Sequence, residues 1–274
     1  MKPDRPLPLL ISVPHGGVSM PPEAQGLCRL DLEAILADGD TWSGYLYDLQ
    51  AHVLEFAEFP VARAIVDVNR APGDLPPHNP DGVVKAATVE QKPVWSDANI
   101  LTSEFVDTLL SNYYYPYHAR LAEAAKNKEV VLGLDCHTML NLAPANSTNW
   151  GEQRPLICLG NRGNKRGEPD EDEPLTAPTE LVCDLQKCLE YTFADLHRDK
   201  SIPMVTLNQP FRGGFITQKF GLESPFPWIQ VEINRLLYLP RQLPRTARPD
   251  GKTLARLTAI RRRFKEAVSM VVGE

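Results

Sequence analysis

The chain has 274 residues, of which 43% are hydrophobic and 23% are charged, and its formal net charge is −6. This composition is that of an ordinary globular protein, and the length suffices for a substantial core. The negative charge argues against nucleic acid or an anionic membrane as the main partner, although a few local arginines can still bind an anionic small molecule.

The cysteines and the N-terminus indicate the compartment. Five cysteines, an odd number without a CxxC pair, predict neither a disulfide framework nor a zinc finger, and reduced thiols favour the cytosol. The first apolar run, residues 7–13, contains Pro8 and is too short to span a membrane. We therefore expect a cytoplasmic protein without a membrane partner.

Taken in chain order, apolar runs and turn residues predict alternating strands and helices. The predicted strands are residues 9–13, 59–68, 130–139, 155–159, 203–207, 215–217 and 228–233. The predicted helices are residues 30–36, 42–55 (capped by Asp40 or Thr41), 101–128 (capped by Ser103 and kinked or broken at Pro116), 178–193 (capped by Thr179) and 251–272. This alternation predicts a three-layer α/β/α fold with a mostly parallel or mixed central sheet. We expect one domain over residues 1–274, with loop insertions at residues 71–98 and 161–178.

Polar residues stand at the ends of four predicted strands. His15 follows the first strand, Asn69 and Arg70 follow the second, and His137 and Glu232 lie near the ends of later ones. In open α/β sheets, ligands bind beyond the carboxyl ends of the strands. The sequence therefore predicts that these residues converge on one site.

Two histidines at strand ends suggest a metal site. With one carboxylate, His15 and His137 would form a His₂-carboxylate site of the hydrolytic zinc type, with a position left for water. Asp40 is the favoured carboxylate, and Asp38 and Glu23 are the alternatives. Asp40 has a competing role as the cap of a helix.

The positions of Asp135 and Glu232 in their predicted strands indicate what each acid does. Asp135 shares a strand face with His137 and is expected to orient it, or else to be an acid satisfied at the strand end. Glu232 lies within an apolar run, where an unpaired charge is costly. It is therefore predicted to face the pocket as a general base for an activated water, the alternative being a solvated residue of an edge strand.

Three residues are candidates for binding an anion. A guanidinium group matches a carboxylate with two parallel hydrogen bonds, and Arg70 (beside Asn69) and Arg212 (beside two glycines) supply such groups. For each arginine the alternative is an exposed position in solvent.

Six segments of the chain resemble a known family. They are SVPHGG, VDVNR, YYPYH, DCHTM, the N-x-P-F-x-G-G-F-I-T run and IQVEINRLLY. In wording and order they are similar to the N-formylglutamate amidohydrolases, over about residues 10–238. The resemblance implies a zinc-carboxypeptidase-like (phosphorylase/hydrolase-like) fold, a zinc-bound water, and hydrolysis of the linear amide of a small N-acyl amino acid. For N-formylglutamate the products are formate and glutamate, in histidine breakdown.

The motifs also imply roles for individual residues. Glu232 resembles the catalytic glutamate, and Asn69-Arg70 resembles the pair that grips the substrate carboxylate in the related aspartoacylases. Arg212 lies in the N-x-P-F-x-G-G run and is a further candidate for substrate binding. The implied metal ligands are His15, Asp40 and His137.

The expected function is therefore metal-dependent hydrolysis of an N-formyl or other N-acyl amino acid. One alternative is a zinc peptidase or an aspartoacylase-like deacylase. The chain lacks a His-x-x-Glu pair at His15, because Gly16, Gly17 and Val18 follow it, and this makes a peptidase the less direct interpretation. The other alternative is a ligand-binding protein that keeps the fold without turnover.

Overall fold

A computed structural model of the chain describes residues 5–144, 147, 149–170, 173–239 and 244–273. Its strands are β1 (Leu7–Val13), β2 (Val53–Glu58), β3 (Leu132–Met139), β4 (Ile157–Gly160), β5 (Val205–Leu207) and β6 (Trp228–Asn234). They form a six-stranded sheet in the order β2-β1-β3-β6-β4-β5. Strands β1, β2, β3 and β6 are parallel, whereas β4 is antiparallel to β6 and parallel to β5. The predicted mixed sheet is confirmed.

The helices are α1 (Leu32–Asp38), α2 (Ser43–Leu46), α3 (Ser103–Leu109), α4 (Tyr115–Ala124), α5 (Thr179–Thr192), α6 (Phe215–Glu223) and α7 (Gly251–Val272). A π-helical turn, Leu110–Tyr114, joins α3 to α4 without leaving the helical region, and Pro116 lies in the first turn of α4, so the predicted helix is irregular just before Pro116 but is not broken there. Within the described ranges, no helix is long and apolar enough to cross a membrane.

Helices cover both faces of the sheet. Leu9, Ile11 and Val13 of β1 belong to an apolar cluster shared with α2, α5 and α7. Leu10 belongs to a second cluster, shared with α3, α4 and α6. Because successive residues of a strand point to opposite faces, this alternation gives the three-layer α/β/α fold that the sequence predicts.

Three predicted elements are wrong. The helix predicted over residues 42–55 ends at Leu46, and residues 53–58 form β2, since they pair in parallel with β1. Residues 59–68 form turns rather than a strand. Their apolar side chains are buried because they are part of the second cluster. Residues 215–217 begin helix α6 instead of a strand. In each case tertiary contacts override the local pattern.

The predicted helix caps also need correction. Thr102, not Ser103, caps α3 by accepting a hydrogen bond from the backbone N–H of Phe105. No side chain caps α5, where Pro178 holds the cap position before Thr179. Trp42 is the cap residue of α2 and makes no side-chain cap bond, so neither Asp40 nor Thr41 has that role.

Candidate metal centre

Two imidazoles and one carboxylate meet at the carboxyl edge of β1 and β3. Nδ1 of His15 and Nδ1 of His137 are 3.1 Å apart. Oδ2 of Asp40 lies 3.2 Å from Nδ1 of His137 and 3.7 Å from Nδ1 of His15. All three side chains are buried. In a tetrahedral zinc site, metal–ligand bonds of about 2.0–2.1 Å place neighbouring ligand atoms about 3.3 Å apart, so these residues fit one divalent cation.

A carboxylate holds the far nitrogen of each imidazole. Nε2 of His15 is 2.7 Å from Oδ1 of Asp67, and Nε2 of His137 is 3.2 Å from Oδ2 of Asp135. Because a carboxylate accepts hydrogen bonds, this arrangement favours the hydrogen on Nε2 and leaves the lone pair of Nδ1 for the shared centre. Asp135, predicted to orient His137, is thus within ion-pair distance of the ring of His137.

The two imidazoles differ electrostatically. Burial lowers the pKa of His15, although Asp67 acts in the opposite direction. Burial also opposes protonation of His137, but Asp135 and Asp40 raise its pKa well above the usual value. Two cationic rings with nitrogens 3.1 Å apart would repel each other strongly. The pair therefore suits a single cation shared between the two rings, such as a metal ion.

Asp40 is held firmly in its place. Its Oδ2 accepts a hydrogen bond from the backbone N–H of Thr138 at 3.0 Å, and its Oδ1 accepts one from Nη2 of Arg235 at 3.0 Å. Burial opposes ionisation, but His137, His15 and Arg235 together hold the pKa of Asp40 well below its usual range. Asp40 is thus a carboxylate at neutral pH.

The other two carboxylates considered from the sequence lie elsewhere. Asp38 is 3.0 Å from Nζ of Lys85 and accepts a hydrogen bond from the backbone N–H of Val89. Glu23 accepts hydrogen bonds from Asn112 and Tyr113. Of the three acids, only Asp40 lies beside the two histidines.

Glu232 lies opposite His137 in the neighbouring strand. Paired residues of adjacent strands are about 4.8 Å apart and share a face. Its Oε1 accepts a hydrogen bond from Nε2 of Gln230 at 2.9 Å, and burial raises its pKa to about 7. The alternative of a solvated edge-strand residue is wrong, since β6 lies between β3 and β4 and Glu232 is buried.

The three predicted anion-binding residues all line the same cavity. Nδ2 of Asn69 is 3.1 Å from Nε2 of His137, and its Oδ1 accepts a hydrogen bond from the backbone N–H of Ile216. Arg70 pairs with Asp81 at 2.8 Å. Arg212 pairs with Asp170 at 3.0 Å, so both guanidinium groups already have carboxylate partners.

Several cavity residues escaped the sequence analysis. Asp67 and Arg235 lie inside the VDVNR and IQVEINRLLY segments, but no local pattern distinguishes them from their neighbours there. Arg63, which donates from Nε to Oδ2 of Asp67 at 2.9 Å, and Arg154 lie outside every quoted segment. Only their positions in three dimensions reveal them.

The cavity has a volume of about 380 Å³. Among the described residues its lining contains five acids and five arginines, with Asn69, Gln230 and the two histidines between them. The acids are Asp38, Asp40, Asp67, Asp81 and Glu232, and the arginines are Arg63, Arg70, Arg154, Arg212 and Arg235. A polar cavity of this size suits a small charged molecule.

Comparison with known protein sequences adds two findings. A sequence model of the family described as N-formylglutamate amidohydrolase matches residues 7–239. The chain is 24% identical over 252 residues to a curated N-formylglutamate deformylase of Pseudomonas aeruginosa, covering 89% of this chain and 86% of the relative.

Two solved structures share its fold. An N-formylglutamate amidohydrolase from Ralstonia eutropha JMP134 matches with a TM-score of 0.71 at 20% identity, covering 97% of this chain and 94% of that one. A gene product of Agrobacterium tumefaciens matches with a TM-score of 0.61 at 16% identity, covering 97% and 92%.

Proposed function

This chain belongs to the N-formylglutamate amidohydrolase family, and we propose that it hydrolyses the amide of a small N-formyl amino acid by a metal-dependent mechanism. N-Formylglutamate is the first candidate substrate, since the relative from Pseudomonas aeruginosa is an N-formylglutamate deformylase. One observation carries the proposal: Nδ1 of His15, Nδ1 of His137 and Oδ2 of Asp40 face one another within 3.7 Å, with Glu232 in the next strand.

His15, Asp40 and His137 would hold the metal. Their two nitrogens and one oxygen form a donor set that zinc commonly takes in hydrolytic sites. When bound, such a cation acts as a Lewis acid on the substrate carbonyl and lowers the pKa of a water molecule. Asp67 and Asp135 keep both Nδ1 atoms turned toward the centre through their contacts with the Nε2 atoms.

Glu232 would move the proton. Burial disfavours the charged form of this carboxyl group and raises its pKa, which suits a group that must both accept and donate a proton. As the carboxylate it removes a proton from the attacking water, and as the acid it returns that proton to the departing amide nitrogen. Gln230 steadies the group, because its Nε2 donates to Oε1 of Glu232 while its own Oε1 accepts from the backbone N–H of Gly214.

Asn69, Arg70 and Arg212 remain the substrate-binding residues of the proposal. All three line the cavity, and the side chain of Arg70 is 35% exposed. A substrate carboxylate could join the ion pairs that Arg70 and Arg212 already make, as a second acceptor for their remaining N–H groups.

The test is Glu232→Gln, with bound metal and turnover measured on the same preparation. We expect metal content equal to that of the wild type and deformylation slower by about 10²–10⁴-fold, the usual contribution of general acid–base catalysis. Glu223→Gln, at an exposed glutamate at the end of α6, is the matched control and should be fully active. Full activity of the metal-loaded Glu232→Gln variant would rule out the mechanism.

The substrate panel separates the alternatives. It should contain N-formyl amino acids, N-acetyl amino acids and dipeptides. Faster cleavage of N-acetylaspartate or of dipeptides would favour a deacylase or a peptidase. Metal-loaded protein that binds these compounds without turnover would be a ligand-binding protein on the same fold.

A further inference from the structure

Arg154 differs from the other arginines of the cavity. Arg63 pairs with Asp67, Arg70 with Asp81, Arg212 with Asp170 and Arg235 with Asp40. The side chain of Arg154 makes no hydrogen bond or ion pair with any residue in the described part of the chain, and its buried Nε has no partner. Yet Arg154 is only 7% exposed and lines the cavity.

A buried guanidinium group without a partner is costly, because burial removes the water that would otherwise solvate the charge. Glu232 is the acid whose charge acts on Arg154, where it partly offsets the lowering of the Arg154 pKa by burial, but it makes no ion pair with Arg154 and instead accepts a hydrogen bond from Gln230. The N–H groups of the Arg154 guanidinium are therefore available to an anionic ligand that enters the cavity.

The surroundings of Arg154 leave its donors free while fixing its position. Cζ of Arg154 lies over the ring of Phe211, 4.9 Å from its centroid, a cation–π contact that holds the guanidinium group in place without supplying a carboxylate or carbonyl acceptor for its N–H groups. The backbone is anchored on both sides: the N–H of Arg154 donates to the carbonyl of Asn141, and Nδ2 of Asn234 donates to the carbonyl of Pro155.

The topology explains why this arginine reaches the site. Arg154 precedes β4, which is antiparallel to β6, with Ile157 of β4 paired to Ile233 of β6. The start of β4 consequently lies at the edge where β3 and β6 end. Arg154 therefore stands at the same edge as the carboxylate of Glu232 and the imidazole of His137.

We propose that Arg154 binds a carboxylate on the amino-acid half of the substrate, as a specificity-determining residue distinct from Asn69-Arg70. This inference rests on the proposed function, because it assumes an acyl amino acid in the cavity. Because no carboxylate in the described part of the chain pairs with Arg154, whereas Arg70 already pairs with Asp81, Arg154 can bind a substrate carboxylate in addition to the one assigned to Arg70.

The experiment compares Arg154→Met with the wild type on N-formylglutamate, on N-formylglutamine and on the α-amide of N-formylglutamate. We expect KM for N-formylglutamate to rise by about 10²-fold, as for loss of one partner of a buried charged pair, with a much smaller change in kcat. Each analogue replaces one of the two carboxylates of N-formylglutamate by an amide. The wild type should discriminate against the analogue that lacks the carboxylate bound by Arg154, and Arg154→Met should lose this discrimination. Arg166→Met, at an exposed arginine, is the control and should change neither constant.

Thermal unfolding distinguishes binding from a structural role. Removing an unpaired buried charge should leave Tm unchanged or raise it, whereas removing a structural counter-ion should lower it. The proposal would be overturned if KM of Arg154→Met stays within twofold of the wild-type value and the variant still discriminates against both analogues. A lower Tm together with that unchanged KM would show that the role of Arg154 is structural.

Calorimetry with L-glutamate and glutarate on the metal-loaded protein tests the inference apart from turnover. Binding that Arg154→Met weakens supports the role of Arg154 even if no formyl amino acid is hydrolysed, in which case only the proposed function fails. Deformylation by the wild type together with carboxylate binding that Arg154→Met leaves unchanged overturns the role of Arg154 alone.

Discussion

Oδ1 of Asp67 lies 2.7 Å from Nε2 of His15, while Oδ2 of the same carboxylate accepts a hydrogen bond from Nε of Arg63. Asp67 is 1% exposed. Burial opposes its ionisation, but the contact with His15 and the charge of Arg63 keep the pKa of Asp67 well below the usual range. Asp67 is thus ionised and fixed, and it determines which nitrogen of His15 faces the centre.

Replacing this carboxylate should weaken metal binding. We expect Asp67→Asn to bind zinc about 10–100-fold less tightly, as is usual for loss of an acceptor behind a histidine ligand, since an amide holds the Nε2–H tautomer less strongly. Competition with a chromophoric chelator measures the affinity. Asp107→Asn, at an exposed position of α3, should match the wild type; an unchanged affinity in Asp67→Asn would contradict the role of Asp67.

Removal of the metal should destabilise the wild type but not a variant that lacks a ligand. A ligand present at 1,000 times its Kd stabilises the native state by about 4 kcal/mol, so EDTA should lower Tm by several degrees. His137→Ala should show a low Tm that EDTA does not change. His52→Ala, at an exposed histidine, should respond to EDTA as the wild type does. A wild-type Tm that is insensitive to EDTA would argue against a structurally coupled metal.

The ion pair between Lys85 and Asp38 should be important for stability. Nζ of Lys85 lies 3.0 Å from Oδ2 of Asp38, and both side chains are 0% exposed. Lys85→Met should lower the free energy of unfolding by about 3–5 kcal/mol, since it leaves a buried carboxylate without its closest cation. Lys126→Met removes an exposed pair with Glu123 and should cost at most about 1 kcal/mol. Urea denaturation measures both, and equal effects would refute the distinction.

His118 should make the fold sensitive to acid. Burial lowers the pKa of His118 to about 4 from its ordinary value of 6.5. The unfolded chain therefore binds a proton below about pH 6.5, whereas the folded chain does so only near pH 4. The stabilisation from the neutral ring is complete above pH 6.5 and is lost as the pH falls toward 4.

The variant that tests this is His118→Gln, which can still donate to the carbonyl of Val68, as Nε2 of His118 does. Between pH 7.5 and 5.0 the wild type should lose about 1–2 kcal/mol more than the variant. Urea denaturation of both proteins at both pH values gives this double difference, in which effects at the metal centre cancel. Identical losses would show that His118 does not couple folding to pH.

Much of the fold followed from the sequence because burial leaves a local pattern. The apolar runs predicted β1, β3 and β6, and helical periodicity predicted α7 as Gly251–Val272, its observed range. The wrong predictions occurred where an apolar run can result either from a strand or helix or from the burial of irregular chain. Residues 59–68 are apolar because turns bury them, and residues 53–58 join the sheet because β1 offers an unpaired edge.

In the candidate site, too, some features were predictable from the sequence and others depended on the tertiary structure. Because parallel strands place their carboxyl ends together, the positions of His15, His137 and Glu232 at or near the ends of apolar runs were enough to predict that they meet at one edge of the sheet. The choice of Asp40 over Asp38 depended on which acid meets Lys85. The availability of Arg154 depended on the antiparallel direction of β4. Strand direction and charge pairing arise from contacts between distant segments, and no local pattern encodes them, so only the tertiary structure decided them.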